Sequence, residues 1–383
     1  MKKKYLQLTP FFPTEESFRG PYIFDQVKAI TRNSDYDVIV IKLMSFYDKN
    51  SVVNYEYQGV KVYNFKVLDF PSSVLPGLFQ AINLYRLKEF IQKTIGISMS
   101  DVAIIHSHVI YPAGVLSVAL GNEFGIKNFI QHHGLDVFQT ENGRILKGKL
   151  RELNRSYMHR KFIDIVNTTD LNVGVSQKVI DALGAIKGFC NPNAYILYNG
   201  VDTGKFYELE EVEQSDIFTI GCIGNFWPLK DHLTLLKALK IVVESGKTLI
   251  IKFIGSGPTL IEAKAFIAKH KLESYVEFHA EIDHTELNIF YNSLDLFVLP
   301  SYYEALGCVY TEALQVGIPV IAVKGQGIEE LIKKEERTYS LIEPHDERRL
   351  AELIHFRMTE RRTSVYHLDI DLFVLDFMQK SLL

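Results

Sequence analysis

The sequence predicts an α/β protein built from two doubly wound domains that face each other across a cleft. The chain has 383 residues, which is too long for one ordinary hydrophobic core. Short β-branched runs alternate with longer amphipathic stretches, the pattern of parallel sheets with crossover helices. A polar, acid-rich stretch at 203–216 interrupts this alternation before a new strand begins. We therefore expect domains over 1–202 and 203–360, and a tail over 361–383 that returns to the first domain.

Apolar, β-branched runs predict the strands of both domains. In the first domain they are Tyr5–Thr9, Tyr36–Ile41, Val102–His106, Asn128–His132 and Asn172–Ser176. In the second they are Phe218–Ile223, Thr248–Ile254, Tyr275–His279, Leu294–Leu299, Pro319–Val323 and Tyr339–Ile342. Helical periodicity covers Lys230–Glu244 and Leu260–His270, and the segment Val53–Phe65 around Gln58-Gly59 predicts an inserted hairpin. In such folds, ligands bind at the carboxyl ends of the strands.

Composition excludes several classes of protein. Hydrophobic residues make up 47% and charged residues 23%, as in globular proteins, and the net charge of −4 argues against a nucleic-acid binder. The three cysteines share no metal or redox spacing, which indicates reduced thiols in a cytoplasmic protein. No apolar run approaches the roughly 18 residues of a spanning helix. We expect a protein that is soluble or peripheral at a membrane.

Two carboxylates flank the start of a predicted helix in the C-terminal third. Glu304 lies in the loop after the strand that ends at Leu299, and Glu312 lies inside the helix that follows. Backbone N–H groups near Leu306 and Gly307 would face outward there with the positive end of the helix dipole, a site suited to phosphate. A phosphate site between two carboxylates that accept hydrogen bonds from hydroxyls describes a sugar nucleotide.

The spacing Glu304-x7-Glu312 resembles the E-x7-E signature of family 4 of the retaining glycosyltransferases, which have the GT-B fold of two Rossmann-like domains. Other positions that match the family pattern are Asp295, Pro300, Ser301, Gly307, Ala313, Gly317, Pro319 and Val320. The resemblance implies that Glu304 contacts hydroxyls of the donor sugar and that Glu312 holds the ribose hydroxyls.

Two loops of the second domain also resemble family motifs. The loop Gly224–Asp231 is similar to the family's Gly-Arg-…-Lys-Gly loop, whose two cations hold the donor diphosphate. Lys230 matches, whereas Asn225 stands where arginine is usual and brings no charge. Gly255 and Gly257 resemble the family's turn beside the nucleotide base. The resemblance also implies catalysis without a metal cofactor.

The first domain carries a sparser resemblance. Gln131-His132-His133-Gly134-Leu135-Asp136 is similar to the family's His-Gly-x-Asp loop, which implies that His133 approaches the donor sugar, and His132 is interpreted as a buried strand residue. His106 and His108 match a looser family feature, and no carboxylate joins these histidines at metal-ligand spacing. Arg19 and Gly20 partly match a glycine-rich loop that approaches the acceptor and the diphosphate.

The resemblance implies a retaining glycosyltransferase that moves a sugar from a nucleoside-diphosphate donor to an acceptor hydroxyl, in bacterial-type surface polysaccharide or glycolipid synthesis. Two alternatives stay open: a non-catalytic sugar-nucleotide-binding or scaffold protein, which the uncharged Asn225 leaves open, and another GT-B enzyme such as a sugar-nucleotide epimerase.

Two segments of the first domain suggest a lipid-linked or oligosaccharide acceptor near a membrane. Arg144–Lys161 carries seven basic residues against Glu152, with apolar residues interleaved. It either rests on the anionic inner face of a membrane or packs its apolar side on the domain. Val67–Leu84 is either an apolar acceptor-side loop or a short packed helix.

Overall fold

The computed structural model describes residues 2–17, 19–48, 53–70, 74–134, 147–210, 216–279, 282, 286–360 and 366–381. The chain divides into two compact units. The first unit comprises Met1–Asn199 and Ile370–Leu383, and the second comprises Gly200–Asp369. Each is an α/β unit with a parallel sheet, as the sequence predicts.

The first unit is built on an eight-stranded sheet with the order β3-β4-β2-β1-β5-β6-β7-β8. Its strands are β1 Lys4–Thr9, β2 Asp37–Ser45, β3 Tyr55–Tyr57, β4 Val60–Val67, β5 Val102–His108, β6 Lys127–His132, β7 Leu171–Gly174 and β8 Ala194–Ile196. All neighbours pair in parallel except β3 and β4. This pair forms the predicted hairpin, with Gln58 and Gly59 at φ 45° and 83° in its turn.

Successive residues of a strand point to opposite sides of the sheet, and helices cover both of its faces. The helices are α1 Pro21–Arg32, α2 Gln80–Phe90, α3 Val115–Phe124, α4 Gly148–Thr168, α5 Gln177–Gly184 and, from the C-terminus, α11 Ile370–Ser381. In β1, Leu6 and Leu8 pack in the core cluster that includes residues of α2 and α3, whereas Tyr5 packs in the cluster that includes residues of α1 and α11. A salt bridge of 2.9 Å between Arg32 and Asp371 also joins α1 to α11.

The second unit has a six-stranded parallel sheet with the order β11-β10-β9-β12-β13-β14. Its strands are β9 Phe218–Ile223, β10 Leu249–Ile254, β11 Val276–His279, β12 Leu296–Val298, β13 Val320–Val323 and β14 Leu341–Ile342. Its helices are α6 His232–Glu244, α7 Leu260–His270, α8 Leu287–Asn292, α9 Cys308–Gln315 and α10 Glu347–Thr359. The three residues of β12 are fully buried, as expected for a central parallel strand.

The structure corrects three predictions about elements. The hairpin is not an insertion, because β4 pairs in parallel with β2 and extends the main sheet. Strand β8 was not predicted, since its three residues give no periodic signal. Helix α6 begins at His232 rather than Lys230, because Asp231 has left-handed backbone angles (φ 49°, ψ 43°) that separate the short turn Pro228–Lys230 from the helix.

No helix in the described part of the chain combines the length and the apolar character that a membrane span requires.

Candidate functional site

The order of the second sheet creates a crevice between β9 and β12. From β9 the chain continues to β10 on one side, and from β12 it continues to β13 on the other. The loops that leave the carboxyl ends of these two adjacent strands therefore diverge, which is where open α/β sheets bind their ligands. One loop carries Lys230 and the other carries Glu304.

Lys230 and Glu304 meet in this crevice. The Lys230 ammonium donates to Glu304 Oε1, and 21% and 12% of the two side chains remain exposed. Helix α9 begins directly beside them, with Gly307 as its N-cap. A Cβ built on Gly307 would lie 3.8 Å from the Glu304 carboxyl carbon, so the carboxylate lies close to the helix N-terminus. The site thus combines a cation, a carboxylate and the positive end of a helix dipole.

Glycine is required at position 307 for two reasons. Its φ of 86° is in the left-handed region, and a Cβ there would come within 2.7 Å of the Tyr310 ring. Tyr310 is buried and donates its hydroxyl to the carbonyl oxygen of Leu299 at the end of β12. This contact fixes the first turn of α9 against the strand, and Leu306 is buried beside it with 1% of its surface exposed.

The loop that carries Glu304 packs against the glycine loop Gly325–Gly327. The backbone N–H of Glu304 donates to Gln326 Oε1 at 2.8 Å. A Cβ at Gly327 would lie 1.8 Å from the carbonyl oxygen of Ala305, so only glycine permits this approach. These contacts position Glu304 before any ligand arrives.

Glu312 lies in α9, more than one turn past Gly307, as predicted. Its Oε2 accepts a hydrogen bond of 2.8 Å from the hydroxyl of Tyr291. Tyr291 is fully buried, and burial together with the nearby Glu312 raises the pKa of its hydroxyl well above the usual range. The hydroxyl therefore stays protonated and donates to the Glu312 carboxylate, which can only accept. Sequence reasoning missed Tyr291, because a lone tyrosine 21 residues before Glu312 carries no motif.

Asn225, Gly255 and Gly257 lie in the loops after β9 and β10. Asn225 is exposed. A Cβ at Gly255 would lie 2.3 Å from the carbonyl oxygen of Gly224, and a Cβ at Gly257 would lie 2.6 Å from that of Phe226. Close packing of the two loops therefore already explains both glycines, and their contact with a nucleotide stays a prediction.

In the first unit, His133 follows β6 and joins two histidines of β5. Its Nε2 lies 2.8 Å from Nδ1 of His108, whose ring stacks on that of His106 with centroids 5.1 Å apart. His106 and His108 face the same side of the sheet because they are two residues apart in one strand. His132 is buried and hydrogen-bonded to Asn172 at 3.1 Å, as predicted for a core histidine.

Arg19 and Gly20 lie just before α1. The guanidinium of Arg19 is 5.1 Å from the centroid of the Phe11 ring, and Arg19 is exposed. Gly20 is the N-cap of α1 with φ 84°, which explains the glycine by backbone geometry. Leu135 and Asp136 of the His-Gly-x-Asp loop lie outside the described residues.

No group of three His, Cys, Asp or Glu side chains that could hold a metal ion occurs among the residues the structure describes. Lys230 brings a positive charge into the second-unit crevice, and the dipole of α9 supplements it.

Two family models match consecutive parts of the chain. The model described as Glycosyltransferase Family 4 matches residues 20–205, and the one described as Glycosyl transferases group 1 matches residues 208–365. Together with the two parallel sheets and the second-unit crevice, these matches define the chain as a glycosyltransferase. It belongs to the family 4 type of GT-B glycosyltransferases.

Individual proteins agree with this assignment. An uncharacterized glycosyltransferase of Methanocaldococcus jannaschii, MJ1178, is 27% identical over 72% of this chain and 69% of its own. TuaC of Bacillus subtilis, a protein named for teichuronic acid biosynthesis, is 26% identical over 66% of this chain and 60% of its own. Among solved structures, HepE of Anabaena in complex with UDP-glucose superimposes with a TM-score of 0.71 at 16% identity, covering 99% of each chain.

Proposed function

We propose that this glycosyltransferase moves a hexose from a nucleoside-diphosphate sugar to an acceptor hydroxyl, with retention of configuration and without a metal ion. The observation that carries the proposal is the meeting of Lys230 with Glu304 beside the N-terminus of α9. The cation and the helix N-terminus can bind a diphosphate, and the carboxylate can accept hydrogen bonds from sugar hydroxyls. Both requirements are met within one crevice.

The donor diphosphate binds by replacing an existing ion pair. Without donor, the Glu304 carboxylate neutralises Lys230. The more highly charged diphosphate then takes the ammonium and the N–H groups of α9, and the sugar hydroxyls donate to the released Glu304. Asn225, in place of the usual arginine, contributes an amide to the diphosphate but no charge. The turn that contains Gly255 and Gly257 lies beside the base.

Glu312 receives the ribose hydroxyls. Tyr291 donates to Oε2, and that contact holds the carboxylate in one orientation. A carboxylate held in this way loses little conformational freedom on binding, which favours affinity. HepE is named with UDP-glucose, so a UDP-sugar is the first donor to test.

Transfer proceeds by attack on the face that the diphosphate leaves. The bond from C1 of the sugar to the diphosphate oxygen breaks, and its electron pair goes to the diphosphate. The acceptor oxygen bonds to C1 on the same face and gives its proton to the departing diphosphate. Lys230 and the end of α9 stabilise the negative charge that develops on that diphosphate, and Glu304 orients the sugar.

The acceptor proposed is a lipid-linked or growing polysaccharide at the inner face of a membrane. TuaC is named for teichuronic acid biosynthesis, which supports the acceptor class. Helix α4 supports the proposed binding to a membrane, since its Leu150 and Leu153 are 64% and 67% exposed among basic residues. A groove of 720 Å³ follows along this helix, lined by Arg155, Ser156, His159, Arg160, Ile163, Asp164, Lys187 and Gly188. Such a surface suits anionic headgroups.

The donor is tested by thermal shift with UDP-, GDP- and ADP-sugars, followed by turnover of the labelled donor with a crude lipid acceptor pool. We expect one base to raise the melting temperature, because a ligand that binds the native state stabilises it. That donor should label the acceptor in wild-type protein, with no change on adding EDTA. Binding without turnover would contradict the proposed transfer, and loss of turnover with EDTA would contradict metal independence.

The membrane is tested by sedimentation with anionic liposomes at low and high salt. We expect wild-type protein to sediment at low salt and a variant with Lys147, Lys149 and Arg151 changed to Glu to stay in solution. Each basic residue near an anionic surface contributes about 1 kcal/mol, which salt screens.

A control variant makes the same change in net charge on the second unit, at three exposed lysines. These are Lys247, Lys269 and Lys334, each changed to Glu. It should sediment like the wild type. Equal loss of sedimentation in both variants would mean that only net charge matters, and no sedimentation of the wild type would exclude the membrane surface.

A further inference from the structure

A side-chain contact links the turn that carries Lys230 to a third loop at the carboxyl edge of the second sheet. Asp231 follows the turn Pro228–Lys230 directly, and its Oδ2 lies 2.6 Å from Nδ1 of His345. His345 belongs to the loop between β14 and α10. The Asp231 side chain is 12% exposed, and its carboxylate accepts hydrogen bonds without donating any. The His345 imidazole therefore donates through its Nδ1–H.

Both residues of this contact have left-handed backbone angles, although neither is glycine. The φ of Asp231 is 49° and that of His345 is 61°. Few residues other than glycine adopt this region, and such conformations persist where the surrounding structure holds them in place. The contact between the two side chains holds both residues at once. A hydrogen bond of 2.7 Å from the Thr234 hydroxyl to Asp231 Oδ2 adds to it.

The backbone of Asp231 separates the turn from α6. With right-handed angles at this position, the turn would continue directly into the helix, and Lys230 would lie in its first turn. With the left-handed angles, the Lys230 side chain reaches Glu304 in the crevice. The conformation of Asp231 therefore sets the direction from which Lys230 enters the crevice.

The turn is also held by the loop that follows β12. The carbonyl oxygen of Leu229 accepts from the Ser301 hydroxyl at 3.0 Å and from the backbone N–H of Tyr302 at 3.2 Å. The ring of Tyr302 lies 5.0 Å from that of His345, measured between centroids. The loops after β12 and β14 thus contact each other and the turn.

We infer that His345 is a positioning residue for Lys230, because it holds Asp231 in the left-handed conformation that directs the Lys230 ammonium to the donor diphosphate. The part of the inference that concerns the diphosphate depends on the proposed function. The part that concerns the turn does not.

The one tryptophan of the chain provides a direct measurement of this turn. Trp227 is the N-cap of the turn and is 53% exposed, and its carbonyl oxygen accepts from the backbone N–H of Lys230 at 2.9 Å. The decay of its fluorescence anisotropy therefore reports the local mobility of the turn in the absence of any ligand. In wild-type protein we expect a small amplitude of nanosecond local motion.

Two replacements of His345 fit the same backbone but differ in the hydrogen bond, since glycine and asparagine both tolerate left-handed angles. His345→Asn keeps an N–H donor close to the position of Nδ1, so we expect it to retain the wild-type anisotropy decay and Kd for UDP. His345→Gly loses the donor, so we expect a larger amplitude of local motion at Trp227. Its Kd for UDP, measured by calorimetry, should be weaker by roughly two- to fivefold, the range for a partly exposed pair.

A second background shows whether His345 acts through Lys230. In Lys230→Gln protein, His345→Gly should weaken UDP binding no further, because the ammonium that His345 positions is absent. The control is Glu343→Gln in the same loop, which removes an exposed salt bridge of 2.6 Å to Lys324 and leaves Asp231 unchanged. It should match wild type in both measurements.

The outcomes separate this inference from the proposed function. Wild-type affinity for UDP in folded His345→Gly protein would overturn the positioning role, and an unchanged anisotropy decay would overturn the claim that His345 holds the turn. Equal losses in His345→Gly, His345→Asn and Glu343→Gln would reduce His345 to general support of its loop. An equal loss of affinity with and without Lys230 would show that His345 does not act through that lysine.

The proposed function can fail on its own. If wild-type protein bound none of the nucleoside diphosphates, or if Lys230→Gln bound UDP as well as wild type, the assignment of the diphosphate to Lys230 would be wrong. The anisotropy decay of Trp227 in the His345 variants would still decide whether His345 holds the turn.

Discussion

Replacing Glu312 by alanine tests the ribose assignment through two separate quantities, stability and nucleotide affinity. The stability change comes from Tyr291, which is fully buried and donates its hydroxyl to Glu312 at 2.8 Å. Without an acceptor, that buried hydroxyl costs about 1–3 kcal/mol of unfolding free energy. The affinity change comes from the ribose, because loss of a hydrogen bond to a charged group costs about 1.5–3 kcal/mol, or roughly 10- to 150-fold in Kd.

Glu312→Gln separates the two effects. The glutamine oxygen still accepts from the Tyr291 hydroxyl, so we expect the urea midpoint to return close to that of wild type. The ribose loses its charged acceptor, so the affinity for the nucleoside diphosphate should remain lower than in wild type. Calorimetric titration and urea unfolding of both variants measure the two quantities. Unchanged affinity in a folded Glu312→Ala protein would refute the assignment of Glu312 to the ribose.

The site and the buried histidines support three further predictions. Glu304→Ala should nearly abolish transfer. The affinity for the free nucleoside diphosphate should be equal or higher, because Lys230 loses the carboxylate that competes for it. Weaker diphosphate binding would contradict the exchange of partners at Lys230. Asn225→Arg should tighten diphosphate binding by as much as about 1.5–3 kcal/mol, measured by calorimetry, and no gain in a folded variant would mean that position 225 faces away from the donor. Because the pKa of His106 falls from about 6.5 in the unfolded chain to about 3 in the folded one, the unfolded state binds more protons below pH 6.5. The free energy of unfolding should therefore decrease as the pH falls from 6.5 toward 3, by up to about 1.4 kcal/mol per pH unit for this histidine. His106→Asn should weaken that dependence. If the urea midpoints of both proteins changed equally with pH, the prediction would be contradicted.

The sequence alone predicted the features that depend on local order. A strand, a loop and a helix in succession are enough to place Glu304 before α9 and Glu312 inside it. These arguments need only neighbours along the chain.

Features that depend on strand order and register were not predictable. Lys230 and Glu304 are 74 residues apart in sequence, and they meet because β9 pairs with β12. His133 reaches His108 because β5 pairs with β6, with His108 opposite Gln131. Tyr291 had no signal at all, since its role appears only once its hydroxyl is seen to reach Glu312.

The glycines illustrate a different limit. A resemblance assigned Gly255 and Gly257 to nucleotide binding, but the structure gives each a steric reason that needs no ligand. A glycine in a motif can thus reflect the approach of two loops, and sequence alone does not distinguish that from the approach of a ligand.

The most direct test of the central claim is the affinity of the second-unit crevice for a diphosphate when Lys230 is neutralised. Calorimetric titration of UDP, or of the nucleoside diphosphate that gives the largest thermal shift, would compare wild type, Lys230→Gln and the surface control Lys247→Gln. Loss of one charged hydrogen bond predicts a Kd weaker by roughly tenfold or more for Lys230→Gln alone. Equal affinity in all three folded proteins would contradict the claim that Lys230, beside Glu304 and the start of α9, holds the donor diphosphate.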